Sequence, residues 1–145
     1  MLSAKNITPL VEIIIAVAFF AGASVIIAQI FAKAHIDSTL AHDINNATLY
    51  VRECVEQIRL VDYDGELESL CPEGFEKGDG DYVYCAFLDE EFAETVSSLA
   101  YTTVVFEFDI DESPAGYLLS GQFACTRKDG TELIRIDTAV FYEFA

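Results

Sequence analysis

Four cysteines, two histidines and 25 aspartates and glutamates are the groups in this 145-residue chain that could ligate, oxidise or exchange protons. The cysteines are Cys54, Cys71, Cys85 and Cys125. They include no C-x-x-C pair, and neither histidine stands near a cysteine at ligand spacing, so the pattern points away from zinc. An even number of cysteines in a small domain outside the cytoplasm reads as two disulfides, each worth about 2–4 kcal/mol. Three connectivities are open. Cys54–Cys71 would close a local loop and Cys85–Cys125 would link strands; buried free thiols are the alternative. His35 and His42 are seven residues apart and share a helix face, where solvated imidazoles are the expectation. The carboxylates gather as Asp62, Asp64, Glu66 and Glu68, as Asp79 and Asp81, and as Asp109, Asp111 and Glu112. Oxygen ligands in glycine-containing loops suit calcium, but none of these runs has the ligand order of an EF-hand. No phosphate-binding loop, dinucleotide fingerprint or nucleophile elbow occurs. A serine or cysteine nucleophile would need a nearby base, and both histidines lie at the wrong end of the chain for that role. The sequence therefore predicts no enzyme activity, no cofactor and no metal.

Charge narrows the partners. The formal net charge is -17, and every acidic residue except Glu12 follows Lys33. Such a surface repels nucleic acid, which is bound by neutralising phosphates with Lys and Arg. It is equally repelled by anionic lipid headgroups. The acidic region is nonetheless rich in Tyr, Phe, Val, Ile and Leu, which separates it from disordered chains.

The elements that carry these residues begin with an apolar run. Residues 13–32, IIIAVAFFAGASVIIAQIFA, hold no charge. At 1.5 Å per residue they span about 30 Å, the hydrocarbon thickness of a bilayer. Ile13, Ile14, Ile15, Phe19, Phe20, Ile26, Ile27, Ile30 and Phe31 are the expected anchor. Thr8-Pro9 reads as an N-cap followed by proline at the first helical position. A cleaved signal sequence is the competing reading, with a cut after Ala34, but the run exceeds the usual signal-peptide core of about 7–15 residues. No proline or glycine interrupts residues 35–60. Ile36, Leu40, Ile44, Ala47, Val51, Cys54 (with Val55 beside it) and Ile58 recur at steps of three and four, so the same helix is expected to continue with one apolar stripe. From Pro9 to Leu60 it would be about 75 Å long.

Glu12 interrupts the apolar segment, because Leu10 and Val11 precede it. A carboxylate costs up to ~3 kcal/mol at the bilayer centre and less near the interface. Two readings are open: Glu12 reaches toward water beside the positive end of the helix, or it pairs in the membrane with a cation of a neighbouring subunit.

Thr8-Pro9-Leu10-Val11-Glu12, followed by an unbroken apolar run and an amphipathic continuation, resembles the N-terminus of type IV pilins and type II secretion pseudopilins. In that family a glutamate just after the processing site begins a long helix that packs in a filament core, and a small β-domain rides on its outer half. The resemblance implies that Glu12 neutralises the terminal amine of an adjacent subunit. It also implies that residues 13–32 anchor the subunit in the lipid bilayer before assembly. The implied partners are other pilin-like subunits and an assembly platform. The family's peptidase normally cuts after a glycine preceded by basic residues; here Ile7 holds that place and Lys5 is the one basic residue nearby.

Beyond Leu60, residues 61–81 read as an acidic loop. Strands are expected over 82–88, 102–110, 117–126 and 132–144, with a short helix over 89–99 capped by Asp89. Asp129-Gly130 is the chemistry of a hairpin turn. The fold class is α+β: a long N-terminal helix, membrane-spanning in its first half and amphipathic in its second, packed on a C-terminal antiparallel sheet of about four strands. The organisation is an N-terminal tail and transmembrane helix over 1–34 and an extracytoplasmic domain over 35–145, with the N-terminus cytoplasmic. The expected role is a pilin-like structural subunit of an envelope filament or secretion pseudopilus. The alternative is a single-pass anchored extracellular binding module that does not polymerise.

Overall fold

The computed structural model of the chain describes residues 7–61, 63 and 66–143. One α-helix, α1 (Ile7–Leu60), is followed by five strands. These are β1 (Glu76–Lys77), β2 (Val83–Leu88), β3 (Thr102–Ser113), β4 (Gly116–Arg127) and β5 (Glu132–Glu143). The chain forms two compact units, Met1–Ala41 and His42–Ala145. α1 is long and apolar enough to cross a membrane.

In the second unit the strands form one antiparallel sheet in the order β1-β2-β3-β4-β5, so each neighbour in sequence is a neighbour in space. The pairing register explains the core. Phe106 stands opposite Tyr84 on one side and Phe123 on the other, and Phe123 stands opposite Ile136. Alternation then brings Ala86, Leu88, Val104, Phe106, Phe108, Leu119, Phe123 and Cys125 to one buried face. α1 covers that face with Ala47, Val51, Cys54 and Ile58, spaced by three and four as a helical stripe must be. An aromatic series runs through the interface: Tyr50 lies 6.4 Å from Phe75, Phe75 6.2 Å from Phe123, and Phe123 4.3 Å from Phe106 between ring centroids. Gly121 makes room for it, since a Cβ there would come within 2.8 Å of the Phe106 ring.

The hairpins follow their turn residues. Between β4 and β5 the Gly130 N–H donates to the Arg127 carbonyl at 2.8 Å, and Gly130 adopts φ 86°, a left-handed conformation glycine takes without steric cost. Between β3 and β4, Gly116 has φ 154° and a side chain there would overlap the Tyr142 carbonyl.

The sheet has five strands rather than the expected four. The additional β1 is only two residues long and lies in the acidic loop, where its Glu-Lys sequence carries no alternation to betray it. That loop also does more than connect elements: Leu70 is fully buried, and Tyr63 packs 5.0 Å from Tyr117 and 5.5 Å from Tyr142. The helix expected over 89–99 is instead a turn that doubles back on β2, ending in a single 3₁₀ turn, Ser97–Leu99. Asp89 Oδ1 accepts from the N–H groups of Glu91 and Ala93 at 2.9 and 3.0 Å, holding the backbone in a local loop, and Leu88 bridges Glu94. The helical stripe is also shorter than expected. Ile36 and Ile44 are exposed, and the position between them that faces the sheet is Asp43.

Candidate functional site

α1 opens at Ile7, with Pro9 in its first turn where a missing N–H breaks no hydrogen bond. Glu12 lies just beyond that turn and is exposed. The nine anchor residues all lie on α1 and are all exposed, from 53% for Ile27 to 74% for Phe19. A helical stretch apolar around its whole circumference, with these side chains exposed, has a surface suited to lipid or to other helices rather than to water. The Ser24 hydroxyl donates to the Phe20 carbonyl at 2.8 Å, the arrangement by which hydroxyls are accommodated in apolar helices.

In the second unit a buried carboxylate ties α1 to the sheet. Asp43 Oδ2 accepts from the Tyr101 hydroxyl at 3.0 Å and from Arg127 Nη1 at 3.3 Å. Arg127 is held on its other side by Asp129 through its Nε at 3.0 Å and through Nη2. The two carboxylates raise the Arg127 pKa, and Arg127 holds Asp129 well below the usual carboxylate range. At the other end of the packed stretch the Tyr142 hydroxyl donates to the Ile58 carbonyl at 2.6 Å. That carbonyl belongs to the last turn of α1 and also accepts from the Val61 N–H at 3.4 Å, so Tyr142 is the closer of two groups that cap it.

All four cysteines are free thiols. Cys85 pairs with Val105 and alternates with buried Tyr84 and Ala86, whereas Cys125 stands opposite Val104 on the buried face. Cys85 and Cys125 thus occupy opposite faces of the sheet with β3 between them, which corrects the expected bridge between them. Burial pushes the Cys54 and Cys125 thiols up to about 12 and the Cys71 thiol up to about 11. Thiols so held are protonated and unreactive near neutrality.

A cavity of about 290 Å³ opens beside α1 in the same unit, lined among others by Tyr50, Glu53, Gln57, Glu73, Phe92 and Glu94. Gln57 Oε1 accepts from the Glu73 N–H at 3.2 Å, which ties the acidic loop to the helix. Gly74 leaves space that a side chain would take from the Glu94 carboxylate. Phe92 adopts φ 61°, a costly conformation for a bulky residue. Asp62 and Asp64 lie outside the described residues. Among the described residues no three His, Cys, Asp or Glu side chains converge as a metal site. His35 and His42 are exposed on α1, and His42 Nε2 lies 3.1 Å from the Asn46 amide nitrogen.

Comparison with known proteins decides nothing further. No family model, curated protein or solved structure matches this chain. Two groups of residues escaped the sequence reading. Asp43 sits at a stripe position where an apolar residue is the rule, and its partner Arg127 is 84 positions away, so no local pattern joins them. The cavity residues come from α1 and from two loops that only the fold brings together.

Proposed function

We propose that the chain is a membrane-anchored, pilin-like structural subunit that assembles through the first part of α1. One observation carries this reading: a single helix, Ile7–Leu60, supplies an uncovered apolar surface with Glu12 at its start and then the stripe that covers a β-sheet. A monomeric anchor needs only the apolar run. The family resemblance supplies a reason for a carboxylate at its edge, which is to meet the amino terminus of a neighbouring subunit. Residues 13–32 serve first as the bilayer anchor, with the acidic unit on the extracytoplasmic side, and afterwards as a packing surface for other subunits delivered by an assembly platform. No step of this role is catalytic.

The mature protein's mass and N-terminal residue test the reading. A product retaining residues 8–34 is expected, and one beginning at Thr8 would carry the free amine that Glu12 requires. A product beginning at His35 would be a secreted domain without its anchor and contradicts the proposal.

A further inference from the structure

We propose that Asn46 is an acceptor for N-linked glycosylation, taking an oligosaccharide from a polyprenyl diphosphate donor on the extracytoplasmic side of the membrane. Asn46-Ala47-Thr48 is an Asn-x-Thr sequon, which such transferases read through the hydroxyl two residues on. The chain has three asparagines. Asn45 lacks a hydroxyl at that spacing, because Ala47 stands there. Asn6 has one in Thr8 but precedes the anchor. Asn46 alone combines the hydroxyl with the extracytoplasmic side, an assignment that rests on the orientation given above.

The fold sets when the transfer takes place and whether its product is tolerated. In the finished helix Ala47 is fully buried and Thr48 Oγ1 donates to the Ile44 carbonyl at 2.7 Å, so the sequon is not free to enter an active site. Transfer must therefore precede docking of α1 on the sheet. Asn46 follows Ala32, the end of the uncharged run, by 14 positions. That is about 48 Å of extended chain against about 21 Å of helix, so the unfolded segment reaches well clear of the bilayer surface. Asn46 Nδ2 forms a bond to the anomeric carbon of the first sugar as that carbon's bond to the donor's phosphate oxygen breaks. The nitrogen gives up one proton, and the polyprenyl diphosphate leaves with the bonding electrons. The docked helix has room for the product. Asn46 is half-buried at the edge of the stripe, and its neighbours Asn45, Thr48 and Leu49 are exposed. A carboxamide carries two N–H donors and glycosylation replaces one. The other remains to meet His42 Nε2, 3.1 Å away.

Intact-mass and tandem mass spectrometry of the chain purified from envelopes of its native host test this. The expected result is a mass above that of the mature polypeptide, with the added sugar on the peptide that carries Asn46. Asn46→Gln and Thr48→Ala are each expected to abolish the addition, whereas Thr48→Ser keeps the hydroxyl and retains it. Because transfer precedes folding, misfolding of a variant does not by itself remove the sugar. An unmodified native chain, an addition that survives Asn46→Gln, or sugar on Asn6 alone would overturn the proposal. Its failure is distinguishable from failure of the assembly reading: a mature chain beginning at His35 contradicts assembly and still carries Asn46 with its sugar.

Discussion

Single side chains in this protein show both what burial demands and where it is not met. The Thr102 hydroxyl is fully enclosed and has no hydrogen-bond partner among the described residues. An unsatisfied buried hydroxyl costs about 1–3 kcal/mol, and valine has nearly its shape. Thr102→Val is therefore expected to raise stability by about 1 kcal/mol, read as a higher urea midpoint for the full chain in detergent. The buried thiols give a pH dependence of definite sign. Cys54 and Cys125 titrate at about 12 in the fold against an ordinary value of 9.0. Below pH 9 both states keep the protons. Between 9 and 12 only the unfolded chain loses them, so stability falls as pH rises through that window. The urea midpoint should be lower at pH 10.5 than at pH 8, and Cys125→Ala should lessen the drop; equal midpoints at the two pH values would show the thiols are not enclosed. At this scale the sequence was partly legible. Cys54 falls on the helical stripe and so reads as buried, but nothing near Cys125 says which sheet face it takes relative to Cys85 until the register of three strands is known.

Elements in this fold are held to one another by polar contacts at the two ends of an apolar interface. Asp43 joins α1 to β4 through Arg127, and Tyr142 on β5 caps α1 at Ile58. Burial raises the Tyr142 pKa to about 12, so the hydroxyl remains a donor throughout the neutral range. Tyr142→Phe leaves the ring against Tyr63 and removes only that donor. It is expected to cost about 1 kcal/mol, seen in the same urea measurement, together with faster amide exchange in the last turn of α1. A variant as stable as the parent with unchanged exchange would show that the Val61 N–H and water cap the helix equally well. The long strands were legible because residues 104–110 alternate apolar and polar, and because residues 132–143 are rich in β-branched and aromatic residues directly after an Asp-Gly turn. The turn over 89–99 was not, because Phe92, Val96 and Leu99 mimic helical spacing while the decisive group is one Asp89 carboxylate competing for backbone donors. The stripe on α1 was legible over residues 47–58 and misleading at Ile36 and Ile44, since periodicity marks a face and does not say where the sheet that covers it ends.

For the molecule as a whole, composition alone separated an uncharged run, residues 13–32, from the acidic, aromatic-rich region after Lys33, whereas the two compact units divide further on, between Ala41 and His42. The fold class could be read before any coordinates because it needs only pattern: one unbroken helical period, then strands with short connections. The role could not be read so directly, since apolar surface around a helix suits lipid and neighbouring helices alike. Glu12 is the residue that separates those two readings. The most direct measurement places single cysteines at positions 13–30, in a chain whose four native cysteines are replaced by alanine, and cross-links them in native envelopes. Adducts between neighbouring copies that disappear on Glu12→Ala are the expected result; adducts that persist unchanged in that variant, or none at any position, would contradict assembly through α1.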